Sequence, residues 1–340
     1  VTDLENKKGD NIMTSLTRRT GLRYAVLSLS LIAAVPIQAQ TFPAKPIRVV
    51  LPFSAGSGPD AVLRHISEKV TKSWGHQFTV DNKPGANGWL SAGDVKRNAP
   101  DGYNLLMVDV GTVSLQPHLY KQMPFDPVKD FEPVAPLYTA NFFVVVGANS
   151  PYKTFSDLVA ASKASPDKVT YGSWGIGSVA HVGSAMVENT AGVQMRHIPF
   201  KEIPQLYTAV ATGEVDWAFG SAATVGPLYR AKRVRLLAYA GPRRLAGFTD
   251  VPTVSETAGM GNFELKSWVA LYGPRGIPKN VVDRIHAGVV SAQSDPEVKE
   301  RFATVGFEAW GALPAEIERT AQLDSERFAE TVKRAKISID

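Results

Sequence analysis

Two hydrophobic periods alternate along this chain, and the places where one gives way to the other mark its elements. Ile47, Val49, Val50 and Leu51 form a short β-branched run that suits a buried strand. Ser54-Ala-Gly-Ser-Gly58 is too small and flexible to continue it, and predicts a tight turn. Val62, Leu63, Ile66 and Val70 then recur at helical spacing, with Arg64, Glu68 and Lys69 on the other face, so a helix is expected from Pro59 to Trp74. Pro59 suits a first turn, where its missing N–H would be orphaned anyway, and Asp60 offsets the positive end of the helix dipole. Strand, glycine turn, helix N-terminus: free backbone N–H groups at such a junction are a ready site for a small anion.

The same succession returns downstream. Phe78–Val80 is a strand, Asp81–Gly88 a loop by composition, and a helix is expected from about Trp89 to Arg97. Leu105–Val108 is a strand closed by Asp109–Ser114, and Phe142–Val146 is a strongly apolar strand. Thr154 can cap a helix beginning near Phe155. Lys168–Tyr171 is a strand that runs into Gly172-Ser-Trp-Gly-Ile-Gly-Ser-Val-Ala-His181, a second small-residue loop before a helix. Further strands are expected at 193–199, 215–219 and 234–239, with a helix over Ile203–Thr212 stopped by Gly213. Ser267–Tyr272 reads as a return strand, followed by helices near 280–293, 295–303 and 314–334. Alternating strands and helices indicate an α/β fold with a parallel sheet, and ligands bind at the strand C-terminal ends of such sheets. The late helices have to cover the first sheet. The expected division is therefore a domain 1 made of 40–143 and 263–340, a domain 2 over 144–262, and a hinged cleft between two lobes.

Residues 1–39 read as a leader outside this fold. Arg18, Arg19 and Arg23 precede an apolar run from Tyr24 to Ile37, which ends at Ile37-Gln-Ala39, a small-residue cleavage site. The run is too short for a membrane span. Arg18-Arg19 hints at twin-arginine export, but Gly21 stands where that signal prefers an aromatic, so the general route is favoured. Met13 can serve as the start, leaving 1–12 as an upstream extension. An exported, soluble protein is expected. The formal charge of +5 includes five basic and three acidic groups of the leader, which leaves about +3 for the rest. So mild a charge offers no reason to expect a nucleic-acid partner, and Lys232-Arg233 and Arg243-Arg244 read as solvated surface. The absence of cysteine excludes disulfides, thiolate nucleophiles and a lipidated anchor.

Candidate chemistry narrows the field further. Gly175-Ile-Gly177-Ser-Val-Ala180 matches a relaxed dinucleotide fingerprint, but the next strand ends at Arg196–Pro199 without the acidic residue that would take ribose hydroxyls. Gly56-Ser57-Gly58 is not a hydrolase elbow, since Ala55 occupies the required first glycine position. None of the six histidines has metal-ligand spacing to another. His65 and His118 read as structural; His181, one turn inside the second loop, can contact a ligand or serve local capping and packing. Asp216 reads as a structural acceptor, Trp217 and Trp268 as core or hinge residues, and Val281, Val282, Ile285 and Val289 as a core stripe. Phe53 and Trp174 are expected to line the cleft.

Taken together, Pro46–Asp60, Asp81–Gly88, Gly111-Thr112, Pro117–Tyr120 and Gly213–Asp216 resemble the substrate-binding proteins of tripartite tricarboxylate transporters, the Bordetella-uptake-gene type receptors. The resemblance runs from about Phe42 to the end. It implies a type II periplasmic binding protein, whose two α/β lobes close on an organic carboxylate without reaction, metal or cofactor, and it implies periplasmic location. In this family one ligand carboxylate is held by backbone groups and ordered waters. Carried over, the ligand positions are Phe53, Ser54, Ala55, Gly56, Ser57 and Gly58; Asn87; Thr112 and Ser114; and, from the other lobe, Ser173, Trp174, Gly175, Gly177, Ser178, His181, Phe200, Lys201, Ser221 and Ala222. The family's Pro-Gly-Gly is here Ala55-Gly56-Ser57, its usual His after Gly-Thr is Val113, a common Asn is Gln116, and its Lys-Gly is Lys201-Glu202. Trp174 replaces a small residue. A Trp and a Val in the pocket suit a flat apolar ligand body between polar ends, so an aromatic mono- or dicarboxylate such as terephthalate is expected. The implied partners are the large and small membrane subunits of the transporter, and the receptor is expected to be a monomer. A carboxylate sensor for a membrane signalling protein would carry the same features. An exported hydrolase would need a nucleophile, base or metal set that the sequence does not offer.

Overall fold

The computed structural model describes residues 42–304 and 306–339; the expected leader lies outside them. Strand β1 (Ile47–Leu51) is buried, and after a turn helix α1 (Gly58–Trp74) buries Val62, Leu63, Ile66 and Val70. Gly75 ends α1 in the left-handed region, φ 73°. Strand β2 (Phe78–Asn82) and helix α2 (Trp89–Val95) follow, then β3 (Asn104–Asp109). The chain past β3 is not an open loop: Gly111–Leu115 forms a π-helical turn and Gln116–His118 a 3-10 turn.

Strand β4 (Phe131–Gly147) is far longer than the Phe142–Val146 segment that the apolar pattern predicts. Pro133 and Pro136 interrupt its first half, and the register with its neighbour shifts between Pro133 and Ala135 and between Pro136 and Tyr138. Each bulge takes up a proline that has no N–H to give the ladder. Helix α3 (Phe155–Ala164) opens on the Thr154 cap, completed into a capping box by Asp157. Then come β5 (Thr170–Ser173), α4 (Val179–Ala191), β6 (Arg196–Pro199), α5 (Ile203–Thr212), β7 (Trp217–Ser221), α6 (Ala222–Arg230) and β8 (Val234–Tyr239). The return strand β9 (Lys266–Pro274) leads to α7 (Lys279–Gln293), α8 (Pro296–Thr304), the two-residue β10 (Glu308–Ala309) and α9 (Pro314–Ala335).

The strands join in the order β2-β1-β3-β9-β4-β7-β5-β6. The sheet is mixed, not purely parallel. β1 is parallel to β2 and β3, and β5 is parallel to β6 and β7, but β9 and β4 run antiparallel through the middle. β4 changes partners along its length: β9 pairs with it as far as Asn141, and β7 and β8 pair with it from Phe142 and Phe143 onward. Asn141 is buried at this exchange point, and its Nδ2 donates to the carbonyls of Ala240 (3.1 Å) and Leu265 (3.2 Å). Trp217 and Trp268 are fully buried on the two sides of the exchange; Trp268 Nε1 donates to Asp324 Oδ2. Val281, Ile285 and Val289 of α7 are buried against the first half of the sheet, as their spacing predicts.

Candidate functional site

A cleft of about 480 Å³ opens where the C-terminal ends of β1 and β3 face the loop after β5. A larger hollow of about 780 Å³ lies elsewhere, against the segment 123–131 and α9. The smaller cleft is the better candidate, because the strand ends and the glycine loop converge only there.

The first wall is built by a chain of side-chain contacts. The Phe53 carbonyl accepts from Asn82 Nδ2 (3.0 Å). Asn87 sits at φ 53°, a conformation Asn tolerates, and its Nδ2 donates to the Tyr120 hydroxyl (2.6 Å). The Gln116 amide joins the segments: its Nε2 donates to the Asn87 carbonyl (2.9 Å), and its Oε1 accepts from Trp89 Nε1 (2.8 Å). Asp109 Oδ1 accepts from both the backbone N–H and the hydroxyl of Thr112, each at 2.9 Å, and so fixes the start of the π-helical turn.

The second wall is the loop from Trp174 to Ser178. Gly175 and Gly177 take φ values of 118° and 73°, which a β-carbon disfavours. Ser178 caps α4, its hydroxyl accepting from His181 N–H (3.2 Å). His181 returns the contact: its Nδ1 accepts from Gly177 N–H at 3.0 Å. The His181 ring stacks on His197 with centroids 3.8 Å apart. His197 Nε2 meets Ser173 Oγ at 2.7 Å, and that hydroxyl donates to the Gly175 carbonyl, leaving the ring nitrogen as donor. Burial holds the His181 ring down at about 4, and burial together with the neighbouring His181 does the same for His197. Both rings are therefore neutral at pH 7, and they act as a backing plate for the loop.

Six of the expected residues line this cleft: Phe53, Asn87, Thr112, Trp174, Gly177 and Ser178. Ser54, Ala55, Gly56, Ser57 and Gly58 form the adjoining turn outside its lining. That turn is pinned by Asp60, which accepts from Gly56 N–H (2.9 Å), Asn82 Nδ2 (2.9 Å) and, through both oxygens, Arg64 (3.0 Å). Burial would raise this carboxyl, but those hydrogen bonds hold it at about 2. Asp60 thus does more than offset a helix dipole. The Ser57 hydroxyl is buried beside α1 with no partner. Ser114 is turned away and donates to the Ala321 carbonyl (2.8 Å). Ser173 and His181 stand behind the loop, and Gly175 belongs to the loop but not to the cleft lining. Phe200 packs into the core around β7 and β8, Lys201 is exposed, Ser221 caps α6, and Ala222 lies against Gly306. Asp109, Tyr120, Leu119, Ile176 and Ile339 are lining residues that the sequence did not single out. Asp109 stood in a recognised loop, but nothing in the local pattern shows that Ile339, near the chain end, meets Leu119.

Asp216 accepts from Thr170 N–H (2.8 Å) and hydroxyl (2.7 Å), a structural role, and His118 bonds the Ser325 hydroxyl (2.8 Å). No group of acidic or histidine side chains among the described residues could hold a metal. No helix among them is long and apolar enough to cross a membrane.

Two half-sheets threaded by shared strands, with a cleft at the strand ends, define a periplasmic-binding-protein fold. The comparisons agree. Residues 62–337 match the tripartite tricarboxylate transporter family receptor, and the chain belongs to that family. A UPF0065 protein of Cupriavidus necator is 34% identical over 324 residues, covering 95% of each chain. An R. palustris protein solved with adipate superposes with a TM-score of 0.77 at 25% identity, covering 88% of this chain and all of its own. MatC from Rhodopseudomonas palustris, with bound malate, gives 0.72 at 27% identity, covering 86% of this chain and 100% of its own.

Proposed function

We propose that this protein is a periplasmic receptor that captures a small organic carboxylate in the Phe53–Trp174 cleft and delivers it to the membrane subunits of a tripartite tricarboxylate type transporter. The observation that carries the reading is a glycine loop at a helix N-terminus facing a second strand-end loop across the cleft. The adipate and malate held by its structural relatives support the ligand class. Segments 40–143 with 263–340, and 144–262, act as the two lobes, and ligand contacts to both favour the closed form. Phe53, Leu119, Trp174 and Ile176 give the cleft an apolar middle, which favours a flat aromatic mono- or dicarboxylate, such as terephthalate or a related benzoate. The receptor works as a monomer. Mass spectrometry of the ligand that co-purifies with the protein, followed by thermal-shift titration with aromatic and aliphatic carboxylates, tests the proposal. One saturable stabiliser is expected; a panel without any stabilising carboxylate overturns it.

A further inference from the structure

Among the cleft-lining residues there is no lysine, arginine or histidine; the side chain there that carries a formal charge is Asp109, and its sign opposes an anion. Asp109 ends β3 at the cleft wall, half-buried. Its Oδ1 takes both donors of Thr112, the N–H and the hydroxyl. Those are donors that a ligand carboxylate at this end would otherwise use. No ion pair neutralises Asp109 among the described residues, so its negative charge is left to the cleft. The buried Tyr138 hydroxyl registers that charge: burial raises its pKa well above the usual value, and Asp109 raises it further. A second carboxylate brought against Asp109 in a closed, dehydrated cleft would place two like charges together, which is strongly disfavoured.

The opposite wall has the reverse character. The N-terminal end of α4, at Ser178 in the cleft lining, presents the positive end of a helix dipole. We infer that Asp109 sets the polarity of the bound ligand, so that the cleft takes a small carboxylate whose far end is a protonated amine, with the ammonium on Asp109 and the carboxylate toward α4. The inference rests on the proposed carboxylate-receptor function and, within the organic carboxylates, favours aminocarboxylates over dicarboxylates such as terephthalate.

Two ligand pairs of similar length separate the alternatives: 4-(aminomethyl)benzoate against terephthalate, and 6-aminohexanoate against adipate. Each is titrated by calorimetry at pH 7 into the full chain and into Asp109→Asn. The asparagine Oδ1 can still accept from Thr112, so the turn is retained while the charge is removed. In any pair that binds, the wild type is expected to favour the amine by roughly tenfold or more, and Asp109→Asn to abolish or reverse that preference. A wild type that favours the dicarboxylate, or a preference that Asp109→Asn leaves unchanged, overturns the inference and leaves the receptor function standing. The wild-type ratio decides this even if the variant folds poorly. If none of the four compounds binds, the inference fails, and the carboxylate-receptor reading is decided by the co-purified ligand and the wider panel.

Discussion

Acidification should loosen the second wall before it reaches the rest of the fold. His181 is 8% exposed, and its ring is held at about 4 against an ordinary 6.5 because burial disfavours the charged form. The unfolded chain therefore takes up this proton first. The stability due to the neutral ring is complete above pH 6.5 and is lost as the pH falls from there towards 4. A shift of this size corresponds to about 3 kcal/mol, and about 2 kcal/mol is a fair expectation after allowing for residual solvent screening. Protonation also removes the acceptor for Gly177 N–H and sets a charge against the stacked His197. Urea denaturation at pH 7, 6, 5 and 4 measures the slope directly. His181→Asn offers Oδ1 in place of Nδ1 without titrating, so its stability should fall less steeply over the window. A residual slope remains, because His197 and His118 are also shifted down, chiefly by burial. Asp60 and Asp94, both held at about 2, begin to contribute only as the pH falls into the usual carboxylate range near 3.8, at the bottom of this window. A wild-type stability that is flat between pH 6.5 and 4, or a variant with the full wild-type slope, would refute the reasoning.

Further outcomes follow from the same contacts. In Gly177→Val a β-carbon would lie 2.6 Å from Ile339 Cδ1 and 2.8 Å from Leu119 Cδ1, at a φ of 73°; carboxylate binding should be lost while circular dichroism shows a folded protein some 1–3 kcal/mol less stable. Asp60→Asn removes the negative charge and one of the two oxygens that accept from Arg64, and should cost about 2–3 kcal/mol at pH 7, a penalty that shrinks as the pH falls from 3.8 towards 2, where the wild-type carboxylate itself protonates. Ser57→Ala deletes a buried hydroxyl without a partner, so denaturation should shift by less than about 0.5 kcal/mol.

What the sequence made legible was whatever a short window contains. The β1–turn–α1 unit, the Thr154 cap and the Gly213 stop each depend on a few neighbouring residues, and each stands where the pattern puts it. The first half of β4 was hidden because Pro133, Pro136, Thr139 and Asn141 break the apolar run; only pairing with β9 makes a strand of it. The π-helical turn after β3 leaves no mark in the sequence, since Gly-Thr-Val-Ser gives no period to detect. Within the site, the motifs carried over from the family located both walls but not how their side chains are spent. Whether Ser114 faces a ligand or the Ala321 carbonyl is decided by α9, far along the chain. Likewise the wall formed by Leu119, Tyr120 and Ile339 exists only once β4, β9 and α9 have brought distant segments together.

The exchange of partners along β4 bears on how the molecule comes apart. One uninterrupted strand is hydrogen-bonded to β9 up to Asn141 and to β7 from Phe142, and the Asn141 amide ties Ala240 and Leu265 to the same point. Loss of either half-sheet would strip one end of a strand that the other half still needs, and would expose a buried amide between two carbonyls. The halves therefore share their melting: heating should give a single transition seen alike by every probe, and the slowest amide exchange should cluster at the crossing itself.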